Sequence, residues 1–303
     1  MLPALLLIAA ATASAQGTLE GDFSTALDAA RSASSRPAVF VDEHALGSWF
    51  RKISSVDTSS FDGITGWGNL PQPSFDPARM HEPAAGEAAY TAGPLDNPGV
   101  YVGAHSAGCE VDAGLKWDHR YDAEGRDTGT FGWRVFWRVA SGGGNVWANP
   151  KPGSAADIYL FPGDRFAMTL RVREDGTASL DVRGSGAGAP SVHQVFPAGG
   201  FWEGGTRLPR RFKRVHAIDQ FVLRADGRRI GDEGRPAVPT RSVLQDGRWD
   251  GVSLLGNKTV PLAGALAIEW RGPDAAAGYE RIFPGAFVDG AGGESMVVTP
   301  PQP

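Results

Sequence analysis

The stretch Met168-Thr169-Leu170-Arg171-Val172-Arg173-Glu174-Asp175-Gly176-Thr177-Ala178-Ser179-Leu180-Asp181-Val182-Arg183 decides the fold class. Met168, Leu170 and Val172 alternate with Thr169, Arg171 and Arg173, and Ala178, Leu180 and Val182 alternate with Ser179, Asp181 and Arg183. A period of two puts each apolar set on one face of a strand. Between the two arms, Asp175-Gly176 supplies the positive φ that a tight hairpin turn requires. This is an antiparallel hairpin with one buried face. Similar short, aromatic or β-branched runs surround it at Val100–Ala104, Glu110–Trp117, Phe131–Val139, Ile158–Phe161, Phe212–Leu223, Trp249–Leu255, Ala265–Trp270 and Ser295–Thr299. Strand signals at this density, with almost no long helical pattern between them, predict an all-β, antiparallel two-sheet β-sandwich.

Composition agrees. The 303 residues include 41 Gly and 22 Pro with 15 Phe, 9 Trp and 5 Tyr, which suits short strands joined by turns over a large core. The hydrophobic fraction of 42% excludes disorder for most of the length, and one Cys excludes a disulfide scaffold or a multi-thiolate zinc site. Cys109 reads as a small buried hydrophobe, with an exposed thiol as the second reading.

Residues 1–15 read as a signal peptide, an uncharged apolar run ending in Ala13-Ser14-Ala15. The expected address is therefore secreted, outside the cytoplasm, and no other stretch is long and apolar enough to span a membrane. Residues 16–98 are expected to form a short N-terminal helix over Asp22–Ala33 and an irregular Gly/Pro-rich lead-in, with edge strands around Ile64–Leu70. Residues 99–299 are expected to form the sandwich, and 300–303 a disordered tail.

Formal charge is −5, yet residues 207–235 carry nine Lys or Arg against four acids. Such a segment can attract an anionic polymer or can be a solvated sheet face. With a pI near 5.7, nucleic acid is excluded as the main partner. The loop Asp118, Asp122, Glu124 and Asp127 concentrates carboxylates near Gly125, but two Arg sit among them; a solvated turn is favoured over calcium, and no cofactor is expected.

The richest constellation lies on two strands. Glu110 and Asp112, two apart, project from one face. Arg134, Phe136 and Arg138 share the face opposite Trp133, Val135, Trp137 and Val139. If the strands are neighbours, the acids meet the guanidiniums, either as a salt-bridge ladder or as a groove for a polar ligand. His105 is the further candidate for that groove.

The series Tyr101-Val102-Gly103-Ala104-His105-Ser106, Val111-Asp112-Ala113-Gly114, Arg134-Val135-Phe136-Trp137 and Gly163-Asp164 resembles, in order and spacing over about Gly99–Arg183, the glutamic peptidase motifs W-V-G-I-D-G, L-Q-T-G, W-Y-E-W and G-D. These peptidases (eqolisins) belong to the concanavalin A-like jelly rolls, a superfold shared with lectins, glucanases and polysaccharide lyases. The resemblance implies a jelly roll with a functional concave face. It also places the family's catalytic Gln at Asp112 and its catalytic Glu at Phe136, so that mechanism is incomplete here. Retaining glucanases of the superfold carry E-x-D-x-E on one strand, where this chain has Glu110, Asp112 and Gly114. The leading expectation is a secreted sandwich that binds a glycan or another envelope polymer through its concave face. The alternatives are a polysaccharide hydrolase or lyase using Glu110 or Asp112, and a structural envelope protein that meets a protein partner.

Overall fold

The computed structural model describes residues 39–41, 48–56, 58–83, 85, 92–142, 144–186, 188–223, 229–231, 240–262, 267–271, 282–286 and 288–300. The expected signal peptide, the helix over Asp22–Ala33 and the end of the tail lie outside them.

The main strands are β1 (Val39–Val41), β2 (Ser48–Ser54), β3 (Phe61–Asn69), β4 (Asp96–Ser106), β5 (Cys109–Tyr121), β6 (Asp127–Ser141), β7 (Gly144–Ala148), β8 (Arg165–Val172), β9 (Thr177–Gly184), β10 (Ser191–Pro197), β11 (Arg210–Leu223), β12 (Arg248–Gly256), β13 (Thr259–Pro261) and β14 (Ala267–Arg271). The larger sheet runs β1-β14-β2-β11-β4-β5-β6-β7, and the smaller β10-β9-β8-β3-β12-β13. Pairing is antiparallel throughout both, except at the edge, where β1 runs parallel to β14. The fold is an antiparallel two-sheet sandwich.

The deciding hairpin is β8–β9, with Met168 opposite Val182 and Leu170 opposite Leu180. Its turn needs one left-handed residue, not two. Gly176 has φ of +78° and donates to the Arg173 carbonyl, giving a three-residue loop. The alternating apolar faces meet between the sheets. Val102, Val111, Ala113, Leu115, Trp133 and Val135 come from the larger sheet, and Ile64, Met168, Leu170, Leu180, Val252 and Leu254 from the smaller.

Two expectations are corrected here. The segment around Ile64–Leu70 is a central strand, flanked by β8 and β12, and not an edge. Its glycines suggested irregular chain, but they are sites of close approach: a Cβ on Gly66 would fall 2.6 Å from the Trp249 indole. β2 likewise lies inside the larger sheet, between β11 and β14. The basic segment is also not simply a solvated face, because Arg210, Lys213 and Arg214 on β11 are all buried.

Strand alternation explains the buried charges. Arg214 and His216 share the inward face of β11 with Phe212 and Ile218, and Arg51 sits inward on β2 between Trp49 and Ile53. Both arginines pair with Glu294, from the short strand Glu294–Ser295 that pairs with β12. One carboxylate thus ties the two sheets together inside the sandwich. Among the described residues, no helix is long and apolar enough to cross a membrane.

Candidate functional site

The face of the larger sheet that turns away from the core is built in cross-strand rows. Ser54, Lys213, Gly103, Asp112, Arg138 and Trp147 occupy one register line across β2, β11, β4, β5, β6 and β7. Beside it runs Arg211, His105, Glu110, Ala140 and Asn145. Side chains on one register line lie close enough to interact directly.

The first row is a continuous set of ion pairs. Asp112 holds Lys213 at 2.7 Å through Oδ1 and Arg138 at 2.9 Å through Oδ2. Glu110 repeats the bridge, at 2.5 Å to Lys213 and 3.0 Å to Arg138. Lys213 reaches these acids across β4, over Gly103. A Cβ there would lie 2.6 Å from the Lys213 Cε and 2.7 Å from the Asp112 carboxylate. The Arg138 guanidinium donates to Asn145 at 2.9 Å and lies 5.7 Å from the centre of the Trp147 ring. Trp147 stacks on Phe136 at 5.8 Å, and Tyr101 meets the same phenyl edge-on at 5.6 Å.

These pairings fix the protonation states. Burial pushes the Glu110 carboxyl up, but the Lys213 and Arg138 charges and hydrogen bonds outweigh it and hold it at about 2. Burial likewise opposes the charge on Lys213, and Asp112 and Glu110 overcome it and raise that pKa. A general acid must carry its proton near the working pH, and these pairings favour the ionised form of Glu110. A third carboxylate at position 114 is sterically excluded, because a Cβ on Gly114 would lie 2.7 Å from the Tyr101 backbone.

Next to the row opens a cleft of about 160 Å³ lined by Lys52, Ser54, His105, Glu110, Arg211 and Lys213. Lysine and arginine outnumber acids there, and the volume is below the roughly 300–1,000 Å³ of enclosed small-molecule pockets. It is an open surface cleft and not a closed chamber.

Of the residues singled out in the sequence, the structure joins Glu110, Asp112 and Arg138, with His105 beside them. It sends Arg134 elsewhere. Arg134 pairs with Asp157 at 2.7 Å and Asp118 at 3.4 Å, and donates to the Pro150 carbonyl under the Tyr121 ring. Arg134 and Phe136 were expected on an open face and are both buried, because chain from Trp147 to Tyr159 covers them. Lys213, Lys52 and Trp147 were not singled out. Lys213 stood in the basic segment, but nothing local to it shows a contact with residues a hundred positions away.

The acid-rich loop disperses its carboxylates. Asp122 and Glu124 both pair with Arg126, at 2.7 and 2.9 Å, Asp118 pairs with Lys116 at 3.2 Å, and Asp127 pairs with His119 at 2.7 Å. Among the described residues, no group of three or more His, Cys, Asp or Glu gathers as metal ligands do. Cys109 is buried, and burial followed by the nearby Glu110 charge raises its thiol to about 11.

Fold and site together define an antiparallel two-sheet β-sandwich whose larger sheet carries an ion-pair row, a polar cleft and an exposed tryptophan. No protein-family model matches the chain, and no curated protein sequence matches it. Among solved structures it is similar to scytalido-glutamic peptidase bound to a transition state analog inhibitor, at 15% identity over 72% of this chain and 85% of that one, with a TM-score of 0.42. It is also similar to the alginate lyase from Klebsiella pneumoniae, at 11% identity over 57% and 60% of the two chains and a TM-score of 0.29. A third similarity is to the beta-porphyranase of Bacteroides plebeius, at 9% identity over 74% and 82% and a TM-score of 0.25. At these identities and scores no residue role passes from those proteins to this chain.

Proposed function

We propose that this is a secreted sandwich that binds a glycan or another envelope polymer along the outer face of its larger sheet and does not cleave it. The observation that supports the reading is the double bridging of Glu110 and Asp112 by Lys213 and Arg138, which engages both acids in ion pairs. Around this fixed row lie an open polar cleft and Trp147, whose side is 54% exposed on the same face. Sugar rings offer an apolar C–H face and a polar rim, which matches an indole beside charged donors. The address rests on the apolar run at residues 2–15.

The test is binding of the purified protein to a panel of soluble polysaccharides, with product analysis in parallel. The expected result is saturable binding without chain shortening, reduced about ten-fold or more in Trp147→Ala, the size of one lost hot-spot contact. Release of shortened chains by the wild type, abolished in Glu110→Gln, would move the protein to the hydrolase or lyase class.

A further inference from the structure

Strand β7 ends the larger sheet, and among the described residues it pairs with β6 alone. We infer that this edge is the seam of a two-fold dimer, in which β7 pairs antiparallel with β7 of a second copy and Val146 sits on the axis. The inference goes beyond the glycan reading and does not rest on it.

Three observations carry this. The first is a missing protection. An edge strand presents unpaired backbone groups, and natural edges are blunted by charge, proline or irregularity. The two edges of the smaller sheet follow that rule. β10 holds His193, paired with Asp181, and ends at Pro197; β13 comes directly after Lys258 and ends at Pro261. β7 has neither device: residues 139–150 contain no charged side chain, and Pro150 falls beyond the strand. Yet β7 exposes Val146 at 62% and Trp147 at 54%, on opposite faces. The second observation is that the strand complements itself. With the axis through Val146, Asn145 faces the partner's Trp147 and Gly144 faces the partner's Ala148, as an isologous contact requires. Val146 lies opposite Val139 of the core face, so pairing extends that face as a row of four valines and covers the exposed one. The third is charge. Each copy carries −5, which disfavours most contacts between copies. At this edge Arg138, on the register line of Trp147, is already matched by Glu110 and Asp112, so no like charges are opposed across the seam. A foreign strand finds no charge here to read, whereas a second copy supplies the matching side chains. The two-fold axis of an antiparallel pair stands perpendicular to the sheet, so both outer faces stay on one side and the two Trp147 rings flank the axis.

The experiment measures the mass of the purified protein by sedimentation equilibrium from about 1 to 500 μM. A seam of five residues is smaller than the roughly 1,200–2,000 Å² of a stable interface, so the expected result is a weak monomer–dimer equilibrium, with a dissociation constant of about 10–300 μM. Val146→Lys sets two ammonium groups opposite each other and should weaken the dimer about ten-fold or more. Val195→Lys, the same change at an exposed position on β10, should leave it intact. Cross-linking then tests the register. Cys109 is the only native thiol and is buried, so introduced thiols react alone. Val146→Cys should cross-link to its own copy with a short bifunctional reagent. Gly144→Cys should do so only when mixed with Ala148→Cys, because Gly144 and its copy are four residues apart along the seam, about 13 Å. Unchanged circular dichroism separates loss of the seam from loss of the fold. A monomer at every concentration, a dimer indifferent to Val146→Lys, or a dimer lost in Val195→Lys instead would overturn the seam. Cross-linking of Gly144→Cys by itself as readily as Val146→Cys would overturn the two-fold register.

Discussion

The Lys213 ammonium crosses an intervening strand to reach the Asp112 carboxylate, 2.7 Å away, and it does so over the bare backbone of Gly103. The ion pair that organises the outer face therefore depends on a position with no side chain. Gly103 on β4 separates the strands of the two partners, and a methyl group there would sit 2.6 Å from both the Lys213 Cε and the Val111 carbonyl oxygen.

Gly103→Ala is accordingly expected to cost about 1–3 kcal/mol, the usual range for an overpacked site. Because one of the clashes is with backbone, lysine rotamer changes alone do not relieve it. Chemical denaturation of the wild type and the variant measures the difference. A loss below about 0.5 kcal/mol, the level of an ordinary surface change, would show that Lys213 does not need this path.

Arg134 and Arg138 look equivalent on their strand and are not. Arg134 is 5% exposed against Asp157 at 1%, while Arg138 is 20% exposed and shares its acids with Lys213. Removing Arg134 leaves Asp157 buried without its cation, a change expected to cost about 3–5 kcal/mol. Arg138→Ala leaves Glu110 and Asp112 paired to Lys213 and is expected to cost clearly less. Melting temperatures of the two variants decide the order, and a larger loss in Arg138→Ala would refute it.

The contrast marks what the sequence makes legible. Alternation along Met168–Arg183 and Trp133–Val139 identifies the core face directly, because a period of two is local information. The neighbouring of Glu110 and Asp112 with Arg138 follows from two long strands joined by one turn. Lys213 was not legible as their partner, because β11 is placed beside β4 only by sheet topology, about a hundred residues on. Arg134 was misread for a related reason. Alternation gives its face correctly, but the chain between Trp147 and Tyr159 that covers it has no periodicity to announce its position. The glycines of β3 misled in the other direction, since close approach to Trp249 and a loose loop use the same residue type.

His216 gives the sandwich a built-in acid sensitivity. It lies fully buried on the inward face of β11, its ring 6.0 Å from that of Phe283, and neither ring nitrogen has a hydrogen-bond partner among the described residues. Burial first, and then the Arg214 and Arg51 charges, push its pKa well below 6.5. Above pH 6.5 both native and unfolded chains carry it neutral, and it has no effect on the pH dependence. As the pH falls below 6.5, the unfolded chain takes up a proton that the native site refuses, so stability declines, approaching about 1.4 kcal/mol per pH unit from this one group. The loss continues down to the native pKa. In His216→Phe, which keeps a ring beside Phe283, that contribution is absent. Denaturation midpoints measured from pH 7.5 to pH 5 should therefore fall more steeply in the wild type than in the variant, whatever their absolute offset. Parallel pH profiles would mean that the native imidazole accepts its proton as readily as the unfolded one, and that the two neighbouring arginines do not govern it.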